Sequence, residues 1–126
     1  MQKQNEVVRV LVVDDDAAIR RMIIAALKRE GEYVLLEAAN GREALDAMRG
    51  QSPQVVVLDL MMPVMSGWDV LRERQGDAML RAIPVILISA NRDPEIASAV
   101  DKGICAFLPK PFDIAALGAL VRSCIT

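Results

Sequence analysis

The sequence predicts an α/β protein whose parallel sheet carries helices on both faces. Strand-like and helix-like patterns alternate five times along 126 residues, an order typical of parallel sheets. A chain of this length can bury about two-thirds of its unfolded surface, which is enough for one core. Hydrophobic residues make up 53% of the chain and aromatic residues only 3%. We therefore expect a single domain, residues 1–126, with an aliphatic core spanning about residues 8–124.

The predicted strands are short aliphatic runs. The first and third contain almost no polar residue, as expected of strands buried on both faces, and the third is the best candidate for the centre of the sheet. The predicted strands are Val7–Val13, Tyr33–Ala38, Val55–Leu58, Pro84–Ser89 and Ile104–Leu108.

The predicted helices follow the strands and carry recognisable start and stop signals. Asp16 and Asp113 stand where N-caps belong. Gly76 should make the third helix irregular, while Pro94 in the first turn and Gly103 past the end bound the fourth. The predicted helices are Ala17–Arg29, Glu43–Arg49, Gly67 to about Leu80, Pro94–Lys102 and Asp113 to about Cys124.

Composition excludes several classes of function. The net charge of −2 argues against direct nucleic-acid binding. The chain has no histidine, which excludes Ser-His-Asp and Cys-His nucleophiles and His-ligated zinc. The first apolar run is too short for a signal peptide or a membrane span, so we expect a cytoplasmic protein without membrane contact. Cys105 and Cys124 form no C-x-x-C pair, and we expect both to be reduced packing residues, with a disulfide between them as the alternative.

Polar side chains follow four of the predicted strands. Asp14 and Asp15 come after the first, Asp59 after the third, Ser89 ends the fourth and Lys110 follows the fifth. Because the carboxyl ends of parallel strands share one edge of the sheet, we expect these side chains to converge. A single Asp after a strand is more often a helix cap, but three neighbouring carboxylates repel one another unless something neutralises them.

The charges predict a divalent cation at this edge. Three carboxylates and one lysine leave a net charge of −2, and oxygen ligands suit a hard ion such as Mg²⁺ or Mn²⁺. Mg²⁺ leaves coordination positions for phosphate oxygens, and a neighbouring lysine binds phosphate. This combination favours phosphoryl transfer. Without histidine the nucleophile should be an Asp carboxylate. Asp59 stands alone after its strand, whereas Asp14 and Asp15 form a pair suited to metal, so Asp59 is the predicted acceptor.

Four motifs occur in order at the predicted strand ends. They are Val-Val-Asp14-Asp15-Asp16, Asp59-Leu60-Met61-Met62-Pro63 with Ser66-Gly67, Ser89-Ala90, and Lys110-Pro111-Phe112. Together they are highly specific, and from about Val8 to Cys124 the chain resembles the receiver domain of two-component response regulators. The resemblance implies a flavodoxin-like (βα)5 three-layer sandwich with strand order 2-1-3-4-5.

The resemblance also implies a phospho-acceptor signalling switch. Such a protein takes a phosphoryl group from a phosphohistidine on a sensor histidine kinase or phosphotransfer protein and relays the signal to a partner. It is not an enzyme in the conventional sense, although it catalyses its own phosphorylation and dephosphorylation. The alternative left open is a receiver-like adaptor that binds partners without phosphorylation, although such adaptors typically lose the acceptor or the lysine. A nucleotide binder on this fold would need a G-x-G-x-x-G motif after the first strand, which is absent.

Specific roles follow from the resemblance. Asp59 is the implied phosphorylation site. Asp15 and Asp59, with the backbone carbonyl of Met61, are implied to bind the metal directly, and Asp14 largely through water. Lys110 is implied to pair with the phosphoryl group and to precede a cis peptide bond to Pro111.

Ser89 and Phe107 are the implied switch pair. Phe107 stands where the family more often has Tyr, so switching should rest on packing, and we expect both states to be partly populated without phosphate. Residues 103–107 lack the acidic residues of regulators that dimerise through salt bridges, so we expect a monomer or weak dimer. A downstream target could dock on the 91–124 face, where the last helix carries small residues; a plain, weakly polar surface is the alternative. The sequence fits a stand-alone regulator and a receiver cut from a longer protein equally.

Overall fold

The computed structural model describes residues 7–90 and 104–125. Within them the strands are β1 (Val8–Val13), β2 (Tyr33–Ala38), β3 (Val55–Asp59), β4 (Val85–Ser89) and β5 (Ala106–Pro109), and the helices are α1 (Ala17–Glu30), α2 (Gly41–Gln51), α3 (Gly67–Gln75), α4 (Ala78–Arg81) and α5 (Ile114–Ile125). The strands form one parallel sheet in the order β2-β1-β3-β4-β5. This confirms the predicted α/β class and strand order, with β3 at the centre.

Alternating side chains of the central strands supply two aliphatic cores, one on each face of the sheet. Leu11, Leu58 and Leu87 face the side covered by α2 and α3. Val57 and Ile88 face the side covered by α1 and α5. All residues of β3 and β4 are buried, which explains why β3 carries no polar side chain before its last residue. These two cores make the three layers of the sandwich.

The start signal of α1 operates as expected, whereas α2 begins at Gly41 instead of Glu43 and the third predicted helix is divided. Asp16 caps α1 by accepting hydrogen bonds from the amides of Ala18 and Ile19. The third predicted helix is two helices, because α3 ends at Gln75 and the side chain of Asp77 caps the short α4. A capping carboxylate competes with continued helix geometry, so the irregularity predicted near Gly76 is a complete break. The predicted helix Pro94–Lys102 lies outside the described residues.

The prediction of reduced cysteines is wrong. Cys105 and Cys124, which are 19 positions apart in sequence, form a disulfide with Cα atoms 6.2 Å apart. The start of β5 lies beside the last turn of α5, and this packing, which no local spacing indicates, brings the two side chains together. In the part of the chain that is described, no helix is both long and apolar enough to span a membrane.

Candidate functional site

Three carboxylates meet at the carboxyl edge of the sheet. Asp14 follows β1 and is fully buried, Asp59 ends β3 and is 3% exposed, and Asp15 is exposed beside them. Each offers an oxygen within 4.8 Å of the others. The convergence predicted from the strand ends is therefore present.

The two buried carboxylates are held in the same way. Asp14 accepts a hydrogen bond from the Asp16 amide at 2.9 Å, and Asp59 accepts one from the Met61 amide at 3.1 Å. Each bond uses the Oδ1 oxygen and the amide two residues further along, which is the local turn that Asp favours. Each carboxylate therefore keeps its Oδ2 oxygen for a partner from elsewhere in the fold.

Lys110 supplies that partner to both. Its Nζ lies 3.0 Å from Asp14 Oδ2 and 3.3 Å from Asp59 Oδ2. The Lys110 amide donates to the Ser89 carbonyl at 2.9 Å, which continues the pairing of β5 with β4 to the edge of the sheet. The peptide bond to Pro111 is cis, as the resemblance implies. The ammonium thus lies between the ends of β1 and β3.

Burial and neighbouring groups shift the pKa of both Asp59 and Lys110. Burial raises the pKa of Asp59, the negative charge of Asp14 adds to this, and the Met61 amide and Lys110 only partly offset the rise. Burial alone would lower the pKa of Lys110, but the hydrogen bond to Asp14 and the charges of Asp59 and Asp14 outweigh it and raise that pKa. The lysine is therefore firmly cationic, while the ionised Asp59 is less stable than an exposed carboxylate.

The donor set fits a hard divalent cation. It consists of carboxylate oxygens alone, and one lysine leaves two of their three negative charges uncompensated. Such oxygen-only sets suit Mg²⁺ or Mn²⁺. Asp15 is exposed, so the site is reached from solvent on that side. Met61, two residues after Asp59, is 55% exposed.

Comparison with known proteins agrees with this geometry. The family described as "Response regulator receiver domain" matches residues 10–122. The chain belongs to the response regulator receiver family. Among curated relatives, the response regulator MprA of Mycolicibacterium vanbaalenii is 41% identical over 120 residues, covering 92% of this chain and 49% of the relative. The response regulator Rre1 of Synechocystis is 34% identical over 119 residues, covering 94% and 52%. The receiver chain thus spans about half the length of these curated relatives.

Solved receiver structures share the fold. A response regulator receiver protein from Pseudomonas putida has a TM-score of 0.85 at 32% identity, covering 94% of this chain and 98% of its own. The chemotaxis response regulator CheY4 of Vibrio cholerae has a TM-score of 0.82 at 28% identity, covering 94% and 99%. The likeness therefore extends over nearly all of this receiver domain.

One residue of the site escaped sequence reasoning. Arg20 of α1 donates from Nη1 to the Asp14 carbonyl at 2.7 Å and pairs through Nε with Glu37 of β2 at 2.9 Å. It therefore ties the loop that carries the aspartates to the neighbouring strand. The sequence shows two adjacent arginines, Arg20 and Arg21, and nothing in the pattern distinguishes them. Only the packing of α1 against the sheet selects Arg20.

The loop after Asp59 explains the Ser-Gly part of the family motif. A Cβ on Gly67 would lie 2.5 Å from the Asp59 carbonyl oxygen, so only glycine lets α3 approach the end of β3 this closely. Ser66 and Asp69 form a reciprocal capping box at the start of α3. Val64, 89% exposed, adopts a φ of 70° in this loop, a conformation that is costly for a β-branched residue. The receiver domain thus holds the end of β3 and the start of α3 in close contact.

The implied switch residues lie on neighbouring strands. Ser89 ends β4 and is fully buried. Phe107 of β5 is paired in register with Leu87, two residues before Ser89, and packs, partly buried, against the core on the α2 and α3 side. Phe107 therefore lies on the edge strand next to the strand that carries Ser89.

Proposed function

We propose that this receiver domain is a phospho-acceptor switch in which Asp59 takes a phosphoryl group from a phosphohistidine. The observation that carries the proposal is the setting of Asp59, which is buried, held by the Met61 amide at one oxygen and joined by Lys110 at the other. A carboxylate held in this way is oriented before its donor arrives, so little reorganisation is needed for reaction.

The reaction is a transfer between two nucleophiles. A carboxylate oxygen of Asp59 attacks phosphorus and forms an O–P bond, while the N–P bond of the donor breaks and its electron pair stays on the leaving imidazole. The acyl phosphate carries about two negative charges. Lys110 lies next to Asp59 at 3.3 Å and would pair with the new phosphoryl oxygens. Hydrolysis of the acyl phosphate at the same residue would end the signal.

The metal would be held by Asp14, Asp15 and Asp59, with the backbone carbonyl of Met61. When bound, Mg²⁺ or Mn²⁺ supplies positive charge that stabilises the oxygens of the transferring group. The carboxylate oxygens within 4.8 Å of one another support this assignment. Asp14 accepts from both an amide and Lys110, which is consistent with contact to the metal mainly through water.

The signal would leave through Ser89 and Phe107. A new phosphoryl group needs hydrogen-bond donors, and drawing the Ser89 hydroxyl toward it would vacate space that Phe107 is placed to fill. Because Phe107 has no hydroxyl to fix the new rotamer, both arrangements should be populated before phosphorylation. We place the upstream donor on a sensor histidine kinase or phosphotransfer protein in the cytoplasm. The downstream partner would be a protein docking on the 91–124 face, with no direct contact between this chain and nucleic acid.

Intact mass measurement tests the acceptor. Wild-type protein incubated with acetyl phosphate and Mg²⁺ should gain one phosphoryl group of about 80 Da, and Asp59→Asn should gain none. Asp16→Asn is the matched control, because it removes a neighbouring negative charge while Asn still caps α1. That control should be labelled like wild type. Wild-type labelling of Asp59→Asn would place the acceptor on another residue, and no adduct on folded wild type would favour the adaptor function.

Amide exchange with and without beryllofluoride tests the switch. This phosphoryl mimic should change exchange most in β5 and α5, and in residues 91–103. The helix α2, which lies on the opposite side of the acceptor strand from β5, should change least. Changes concentrated in α2, with residues 104–110 unaltered, would contradict the proposed route.

A further inference from the structure

We propose that Cys105 and Cys124 form a reversible thiol–disulfide modification site that controls how tightly β5 is held against α5. The redox chemistry stands independently of phosphorylation. Its effect on the acceptor site rests on the proposed function, because the strand it restrains leads directly to Lys110.

The two cysteines differ in access. Cys105 is exposed and directly precedes β5, and its amide donates to the Val85 carbonyl at 2.8 Å. Cys124 lies in the last turn of α5 and is 8% exposed. A small thiol in solution can therefore reach the bridge from the Cys105 side, and exposed disulfides are the ones that exchange readily with thiol buffers.

The bridge restrains the least secured strand of the sheet. Among the described strands β5 is the shortest, with four residues that are all only partly buried, and it pairs with β4 alone at the edge. Ala106 and Leu108 pack against the core that contains Leu117 and Val121 of α5. The covalent link adds to these contacts at the start of β5. It closes a loop that contains both Phe107 and Lys110.

The expected compartment argues for reversibility. Thiol buffers keep most cytosolic cysteines reduced, and disulfides that do form there are usually transient or redox-sensing. If the protein receives its phosphoryl group in the cytoplasm, as proposed, the disulfide is exposed to these thiol buffers. A bridge with one accessible end would therefore open and close as the ratio of thiol to disulfide changes.

The oxidant that closes the bridge is a low-molecular-weight disulfide of the glutathione type. The Cys105 thiolate attacks that disulfide, forming a mixed disulfide and releasing one small thiol. The Cys124 thiolate then attacks the Cys105 sulfur, which closes the bridge and releases the second small thiol. The protein loses two electrons and two protons, and the small disulfide gains them. Excess small thiol reverses both steps.

Thiol titration of the full chain tests the modification site. The protein is equilibrated with reduced and oxidised glutathione at a series of ratios, blocked with an alkylating reagent and weighed intact. Wild type should pass from no blocked cysteine to two as the buffer becomes reducing, and should return when the buffer is reversed. Cys124→Ala cannot bridge, so it should show only a mixed disulfide at Cys105. A wild type that stays bridged, or stays reduced, at every cytosolic ratio would overturn the proposal.

Amide exchange and phosphorylation test the coupling. In reduced wild type, amides of residues 106–110 and 120–125 should exchange about tenfold faster or more than in the bridged form, while α2 changes little. Cys105→Ser should behave like reduced wild type in every buffer. Equal exchange in both redox states would leave a passive bridge and overturn the coupling. Acetyl phosphate labelling of both redox states is measured by intact mass alongside the thiol titration. If the cysteines titrate normally but neither state gains a phosphoryl group, the proposed function alone is contradicted. If the phosphoryl group is gained but the cysteines do not titrate, the modification site alone is contradicted.

Discussion

Within residues 7–90 and 104–125 of this receiver domain, charge is buried in two places, and the charge is balanced differently in each. Arg74 of α3 is 3% exposed, and its guanidinium donates to the Ile83 carbonyl at 2.9 and 3.3 Å and to the Arg81 carbonyl at 2.9 Å. At the carboxyl edge of the sheet, Asp14 and Asp59 are buried with Lys110 as their shared cation. Arg74 therefore contacts neutral acceptors, whereas each buried aspartate lies near a second negative charge and shares one lysine with it.

The difference separates a structural brace at Arg74 from an acidic edge with uncompensated charge. Burial lowers the pKa of Arg74, and the nearby Arg81 charge adds to this, but carbonyl dipoles satisfy its donors and nothing further is needed. At the acidic edge the pKa of Asp59 is raised by burial and by Asp14. We expect added positive charge to stabilise that edge. The donors of Arg74 therefore have their acceptors in place, whereas the acidic edge keeps more negative charge than its one lysine offsets.

The largest expected effect on stability lies at the brace. Arg74→Met should lower the free energy of unfolding by about 3 kcal/mol, because it leaves the Ile83 and Arg81 carbonyls without their donors. Urea unfolding measures this. Arg72→Met is the control, since Arg72 lies on the same helix with its side chain 75% exposed, and it should change stability by less than about 0.5 kcal/mol. If the folded Arg74 variant lost acetyl phosphate labelling while Arg72→Met kept it, the separation of brace from site would fail.

Mg²⁺ should have a smaller effect, and only at the acidic edge. At tenfold its Kd, Mg²⁺ should stabilise wild type by about 1.4 kcal/mol, because only the folded chain gathers the three carboxylates. Asp15→Asn should show a smaller rise in Tm with Mg²⁺. Asp46→Asn, which removes an exposed charge on α2, should respond like wild type. Equal responses in all three proteins would remove the metal site.

Asp59→Asn should raise Tm by a few degrees at neutral pH, the smallest of these effects. Because the folded-state pKa of Asp59 lies above its unfolded value, the ionised form is relatively disfavoured in the folded chain. That cost is present at neutral pH and disappears as the pH falls through the folded-state pKa. Thermal unfolding of wild type and variant should therefore converge in acid.

Asp69→Asn should change Tm in the opposite direction. The pKa of Asp69 is lowered by its hydrogen bond to Arg72 and by the Ser66 amide, so its ionised form stabilises the folded chain above the unfolded pKa. The variant should melt below wild type at neutral pH, and the difference should shrink as acid protonates Asp69. A stabilised Asp69→Asn, or a destabilised Asp59→Asn, would contradict the electrostatic distinction between a partly exposed capping carboxylate and a crowded buried one.

The sequence by itself determined the sheet and the position of its site. The aliphatic runs are long enough for strands, and each is followed by polar residues. Asp14, Asp59 and Lys110 stand at the ends of such runs. Because parallel strands share one carboxyl edge, their convergence follows from topology without knowledge of packing. The cap at Asp16 is likewise local, since its carboxylate accepts from amides two and three residues further on.

The tertiary structure alone decided which side chains meet partners from other parts of the chain. Arg20 reaches the Asp14 carbonyl because α1 packs across β1, and Arg74 finds its acceptors seven and nine residues away because the chain turns back through α4. Cys105 and Cys124 pair because β5 and α5 share a core. Such partners are set by side-chain contacts between elements. A hydrophobic period identifies the buried face of each element, but it does not specify which side chain meets which across the interface.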